Sequence, residues 1–490
     1  MERLEHILSF ISAAPRARRL DVDPEKELNY GQVDFATDNT ENPKNWSSTR
    51  KCYLTGVAIL MVMNATFASS APTGVIQGIS DDLKVSVEAA GLVTTLFLLG
   101  YCAGPLFWAP LSEFYGRRWI FYITFTLYVT LNFLCAFTPD FGGLLAGRFL
   151  TGTAASAILS NGPGLISDIW GPVGRGNSMA IFMVATFCGP ALGPVVAGFL
   201  EVTKTWRWCF YVLLWLGGLT EVFVLTVPET LPKVVLAKKA RRMRQSKNNG
   251  SKTPDLEKKE SLLSIFKTTL TRPWIILFDP ISFLVAIYYC VVYTLLYMLF
   301  SIYPIVFQQK RGWNAGVGEL PLIGTVIGAC LGGAILLFIG SRERKAMKEG
   351  HTRTPEDRLP PAMAGGVLFA LTMFWFAWTA EFNSIHWIVP TLAGTFLATA
   401  ILLVFSGFIV FIIDSYLMYA ASAVAANTVT RSACAAASPL FTQCMFDALG
   451  VGGGGSLIGG VGVLLVPIPF IFYRYGASIR KRSRFAPTDS

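Results

Sequence analysis

The sequence predicts an all-α membrane protein with twelve transmembrane helices, arranged as two six-helix halves related by a pseudo-two-fold axis. Three observations lead there. The 490 residues are 53% hydrophobic and only 15% charged, and the mean hydropathy is +0.50, well outside the range of soluble chains of this length. Apolar runs recur at the length of a bilayer crossing, since a hydrocarbon core about 30 Å thick takes roughly 20 helical residues. One long hydrophilic stretch divides those runs six and six.

The elements follow in order. Residues 1–51 are a polar tail with no apolar run ahead of a small-residue cleavage site, so no signal peptide is expected. Leu4, Ile7, Leu8 and Ile11 fall at helical spacing, which suits either a short surface helix or a frayed end. The first half, 52–228, holds apolar runs at 53–75, 89–111, 119–138, 144–166, 177–200 and 208–228, each bounded by polar or turn-forming residues. A basic loop follows at 229–280, around KKARRMRQSKNNGSK. The second half, 281–475, holds runs at 281–307, 319–340, 361–381, 387–413, 421–446 and 456–475, and a tail occupies 476–490. Ser69-Ser70-Ala71-Pro72 closes the first run much as Ser301-Ile302-Tyr303-Pro304 closes the seventh. Gly100 and Gly104 match Gly328 and Gly332 in spacing. Offsets of 232 and 228 residues fit a duplicated six-helix unit, an arrangement that places a substrate site near the midplane between the halves.

Charge placement sets the orientation. Of the 41 Lys and Arg residues, 34 fall on the side of the two tails and the central loop, six on the other side or at its helix ends, and Arg431 inside the eleventh run. That bias predicts both tails in the cytoplasm. The net charge of +10 sits in these loops, so it marks a membrane surface rather than a nucleic-acid partner. The nine cysteines show no C-x-x-C spacing and read as small buried hydrophobes. The scattered His6, His351 and His386 offer no metal cluster, and no cofactor loop or nucleophile–base pair suggests an enzyme. No G-x4-G-K-(S/T) loop is present, which excludes a chain that is itself driven by ATP. Glu221 is the one acid well inside an apolar run. It reads as a snorkelling or interhelically bonded side chain, or as a proton carrier.

Several motifs then identify a family. GPLFWAPLSEFYGRR, residues 104–118, resembles the G-x4-(D/E)-x2-G-R-(K/R) loop between helices two and three of the major facilitator superfamily. ENPKNWSSTRK (41–51), GRFLTG (147–152), GPALGPVVAGF (189–199), Trp206-Arg207-Trp208, PETLPKVVLAKKARRMR (228–244) and YAASAVAANTVTRS (419–432) are similar to its fungal drug:proton antiporter branch. The resemblance covers residues 41–475. Ala197 departs from a frequent glycine, and the run Gly452 to Gly455 replaces bulkier residues, leaving the loop before the last span poorly defined.

The resemblance implies roles. Glu113, Arg117, Arg118 and Asp168 form a charged latch on the cytoplasmic side. Glu113 either accepts from a helix N-terminus or pairs with an arginine, while the arginines reach Asp168. Arg148 either snorkels at the outer boundary or points inward to tune a carboxylate. Gly189, Pro190, Gly193, Pro194 and Gly198 form the antiporter motif, a bent helix with a thin face. Asn64, Tyr101, Tyr293 and Tyr297 line a cavity suited to planar amphipathic molecules. Together these imply a proton-coupled exporter of drugs, toxins or a self-made secondary metabolite at the plasma membrane of a fungus. It would act as a monomer on a small-molecule substrate and protons in the lipid bilayer. An uptake permease for a small organic nutrient is the alternative, against which the antiporter motif speaks.

Overall fold

The computed structural model describes residues 42–236, 238, 262–348, 354–416, 419–481, 483 and 485. The possible surface helix at Leu4–Ile11 and most of the basic loop lie outside these residues. The long helices are α1 (Ser48–Ser70), α2 (Val87–Tyr115), α3 (Arg117–Phe137), α4 (Phe141–Ile169), α5 (Pro172–Thr203) and α6 (Arg207–Val224) in the first half. The second half has α7 (Pro280–Tyr303), α8 (Ile323–Lys348), α9 (Pro360–Glu381), α10 (Ile388–Tyr416), α11 (Ala420–Leu465) and α12 (Pro467–Arg480). No strand occurs among the described residues. Polar residues set the helix starts: Ser47, Ser86 and Asp140 accept from the backbone N–H three residues on, at 3.4, 3.2 and 2.6 Å.

Among the described residues, ten helical stretches are long and apolar enough to cross a membrane. One of them, Ser422–Arg480, has 59 residues, or roughly 90 Å at the α-helical rise, about three hydrocarbon thicknesses. Gly450, with φ +69°, breaks it into two helical lengths. The fourth apolar run, within Phe141–Ile169, is a helix of 29 residues packed on α2 and α3, although Arg148 and Pro163 dilute its apolar character. The twelve apolar runs thus each find a helical counterpart. The Gly452–Gly455 stretch is a correction: it is helical, not a loop. A Cβ on Gly455 would lie 2.5 Å from the Ala377 side chain, and one on Gly454 would lie 2.8 Å from Phe446, so these glycines let the last crossing press on its neighbours.

Each half packs the same way. Gly100 and Gly104 seat α2 against Phe149, Thr153 and Ser156 of α4, as Gly328 and Gly332 seat α8 against Thr395 and Leu402 of α10. The halves meet along α2–α11 and α5–α8. Apolar side chains cover the outside, with Trp215 63%, Leu219 62% and Leu464 77% exposed, the reverse of a soluble surface. For the same reason Cys52, Cys330 and Cys444 are exposed rather than buried, since an apolar run does not reveal which of its residues face lipid. The start of α1 and the end of α12 share one face, called here the terminal face. There Arg480 grips Glu356 with two bonds, Nε–Oε1 at 2.9 Å and Nη2–Oε2 at 3.1 Å, and Ser483 Oγ donates to Asp279 Oδ1 at 2.7 Å.

Candidate functional site

The terminal face carries the charged network. Gly116 joins α2 to α3 with φ +96°, a backbone that L side chains rarely adopt, and a Cβ there would run into the Glu229 carboxylate. That carboxylate caps the start of α3, accepting from the N–H groups of Arg117 (3.0 Å) and Arg118 (3.3 Å), and also from Thr230 (3.0 Å) and Leu231 (2.9 Å). A helix N-terminus favours an anion in this position. The sequence offers Glu113 either this place or a pairing with an arginine, and the structure shows neither. Glu113 is exposed, and no hydrogen bond or ion pair reaches its carboxylate among the described residues. Glu229 is 112 residues from its partner Arg117. The local signal, an acid following Pro228 at the end of a span, does not reveal that reach.

Arg117 turns inward. Its Nε meets Asp168 Oδ2 at 3.3 Å, and its Nη1 donates to Ser112 Oγ and Asn161 Oδ1, both at 2.9 Å. Arg118 does not reach Asp168; its Nε donates to Tyr122 Oη at 3.1 Å. Asp168 lies past the end of the fourth span, where burial pushes its carboxyl up to about 6 against the opposing pull of Arg117. A carboxyl raised in the folded state adds stability that is fully present below its unfolded value, 3.8, and is lost as pH rises through about 6. The melting temperature of the wild type relative to Asp168→Asn is therefore expected to climb as pH is lowered from 7 to 5. An unchanged difference would remove this linkage.

The second half repeats the arrangement. Arg358, between α8 and α9, binds Glu343 at 2.8 Å and Asp414, near the end of α10, at 3.0 Å. A cavity of about 240 Å³ opens beside it between α5, α8 and α10, lined by Arg175, Met179, Met183, Leu336 and Arg344 among others.

The opposite face is sealed along α5. Pro194 has no N–H, so the Pro190 carbonyl one turn earlier loses its helical donor. Ser70 Oγ of α1 donates to that carbonyl at 2.7 Å instead. A Cβ on Gly193 would lie 2.8 Å from Ala71 N, one on Gly189 3.0 Å from Met63 O, and one on Gly198 2.6 Å from the Ala315 carbonyl of the other half. Gly189 and Gly193 thus let α5 press on the end of α1 and the turn after it, and Gly198 lets another side of α5 press on the second half. Ser69 and Tyr297 join their hydroxyls across the same divide at 2.8 Å.

Between these faces lies an aromatic centre. Tyr293 and Tyr297 pack edge to face at 5.2 Å, and Phe405 stacks on Tyr289 at 4.6 Å while meeting Phe187 of α5 edge-on at 5.5 Å. The Arg431 guanidinium lies over Phe405 (4.5 Å) and Tyr293 (4.8 Å). Tyr101 Oη donates to Ala65 O at 2.6 Å. Asn64 is drawn away from the centre, its amide donating to Thr220 Oγ1 of α6 at 2.7 Å.

Arg148 does not snorkel. It is fully buried, donating to Val93 O (3.1 Å) and Ala68 O (2.7 Å) beneath the Phe97 ring at 4.1 Å. No carboxylate pairs with it among the described residues, so its contacts tie α4 to the backbones of α1 and α2. Glu221 accepts from Thr126 Oγ1 at 2.6 Å and links α6 to α3. A different acid, Glu319, is buried at the α5 seam; it is the first residue of the eighth run, 319–340, and nothing in the sequence there singles it out.

Comparisons with known proteins agree with one another. The family model described as Major Facilitator Superfamily matches residues 57–439. The chain is 41% identical over 462 residues to "Efflux pump FUB11" of Gibberella moniliformis, covering 93% of this chain and 77% of that protein. It is 35% identical over 453 residues to "Citrinin biosynthesis cluster MFS transporter mrr1" of Monascus ruber, covering 91% and 90%. Among solved structures, the proton:xylose symporter XylE bound to 6-bromo-6-deoxy-D-glucose superposes with a TM-score of 0.63 at 16% identity, over 88% of this chain and 96% of that one.

Proposed function

The chain belongs to the major facilitator superfamily, whose members are multi-pass membrane transporters and not enzymes, and from that premise we propose that it is a proton-coupled antiporter exporting small organic compounds. The observation that carries the reading is the α5 seam. On one side Gly198 packs on Ala315 and Ser69 bonds Tyr297 across the halves, while a cavity stands between α5, α8 and α10 on the other. Halves 52–228 and 281–475 rocking about a midplane site would exchange these two states. The charge bias supports cytoplasmic termini in the plasma membrane, which makes the present state one that faces the cell interior and takes up cargo. The relatives' names, an efflux pump and a biosynthetic-cluster transporter, support export and a self-made metabolite as cargo. The aromatic centre suits planar amphipathic molecules, offering ring faces and a few hydroxyls. A single copy of the chain contains the whole path.

Energy coupling provides the test. An uncoupler is expected to abolish efflux of a planar aromatic dye from cells expressing the chain, and ATP depletion at a clamped proton gradient is expected to leave it intact. The membrane potential alone supplies about 2.3 kcal/mol per charge per 100 mV. Efflux that persists after the gradient collapses would rule out antiport and favour a facilitator.

Topology provides a second check. A protease site inserted between Lys247 and Lys259 is expected to be cut only from the cytoplasm, and one at the exposed Asn383–Ser384 turn only from outside. Asn45 and Asn249 fit N-x-(S/T) yet should carry no glycan, and Asn64 fits it but is buried. A glycan on Asn249 would reverse the orientation.

A further inference from the structure

Glu319 is completely buried, at 0% exposure, yet nothing in the proposed mechanism so far uses it. It ends the short helix Ala315–Glu319 on the face opposite the termini, where the second half meets α5. Its Oε1 accepts from Gln308 Nε2 at 3.1 Å, and its Oε2 is buried without a partner. A Cβ on Gly198 would lie 3.1 Å from Glu319 Cγ, so the backbone of the other half lies directly over this side chain. Gln308 belongs to Pro304–Lys310, a π-helical stretch of the kind often found at functional sites.

The surrounding charges are engaged elsewhere. Lys310 pairs with Glu381 at 2.6 Å, and Arg311 donates to Phe382 O at 3.4 Å. From α5, Glu201 accepts from Gly78 N at 2.6 Å, and Lys204 lies over Trp208 at 5.4 Å. From α7 comes the phenol of Tyr303, itself buried without a partner. The turns at Ala71–Val75 and Leu320–Leu322 bring no titratable side chain. An ionised carboxylate sealed in with one amide donor and no countercharge is strongly disfavoured. A neutral carboxylic acid fits the same space without that penalty.

We propose that Glu319 is a proton-binding gate: the seam between α5 and the Ala315–Glu319 helix stays open while the carboxylate is ionised and closes over the acid once it has taken a proton from the solution on that face. The ligand is a single proton on a carboxylate oxygen, and no other bond is made or broken. Closing this face then requires proton uptake from the solution that bathes it. The proposal rests on the alternating-access reading above and assigns one side chain to one step of it.

Spin labels on Val202→Cys and Leu320→Cys, exposed positions on opposite sides of the seam, report its opening in a cysteine-free background reconstituted in liposomes. Raising the pH from 5 to 8 is expected to shift the label distance to a longer population in the parent protein. Glu319→Gln should keep the short distance at both values, and Glu319→Asp should recover the shift. The short distance of Glu319→Gln at pH 5, equal to the parent's, serves as its own evidence of folding. An equal shift in Glu319→Gln, or no shift in the parent, would overturn the gate. Dye efflux from the same liposomes that ignores an imposed proton gradient would overturn the antiport reading instead, whatever the labels do.

Discussion

Arg117→Ala is expected to cut export at least about tenfold at equal surface expression and to lower the melting temperature. Its side chain and that of Asp168 are 11% and 13% exposed, so removing the guanidinium leaves a nearly buried carboxylate with no countercharge. Breaking such a pair costs about 3–5 kcal/mol. It also deprives Ser112 Oγ and Asn161 Oδ1 of a donor. Glu113→Gln provides the contrast. Its carboxylate makes no hydrogen bond or ion pair among the described residues in this state, so the melting temperature should not change, while a latch that engages Glu113 in the other state predicts reduced export. Efflux rates and thermal melts on the two variants separate these effects. Normal export by both would end the latch role.

The double variant Pro190→Ala, Pro194→Ala is expected to leak protons and to lose most of its coupled efflux. Alanine at 194 restores an N–H that can bond the carbonyl at 190, which Ser70 Oγ now holds at 2.7 Å. The helix then straightens, and its contact with α1 gives way to an ordinary intrahelical bond. Because the same helix carries Gly198 against Ala315, a straighter course also moves the seam with the other half. Proton flux without cargo, measured in vesicles, is the sensitive readout. Unchanged leak and efflux would reduce the prolines to a structural bend.

Much of this architecture was legible because a bilayer imposes one length scale and one charge asymmetry on the chain. Apolar runs located the long helices, including the fourth, whose Arg148 and Pro163 lower its hydropathy. Their ends were less legible, since helical structure continues past the run that stops at 307 into Pro304–Lys310, and the helix Ala315–Glu319 lies almost wholly ahead of the run that begins at 319. The pairing of Arg117 with Asp168 followed from the motif, because both residues stand at span ends on one face. Glu229 did not, since its role depends on two helix ends meeting in space. Arg148 was read near a boundary from its place in the run. The rings of Phe97 and Phe210 and the backbone oxygens of Val93 and Ala68 instead close over it. Asn64 was placed by depth alone, and depth does not say which way a side chain turns around a helix.

The clamp between Arg480 and Glu356 also bears on how the protein is made. The two residues are 124 positions apart, and the arginine emerges only after the last crossing has been synthesised. Until then Glu356 has no bidentate cation, and Asp279 lacks the hydroxyl of Ser483, 204 positions later. A nascent second half therefore remains unsettled on its terminal face while the ribosome works through four further helices. Insertion of the spans can proceed in order, but their consolidation waits for Arg480. A chain that stalls before that residue has no guanidinium for Glu356, and the corner between the start of α9 and the last helix stays untied.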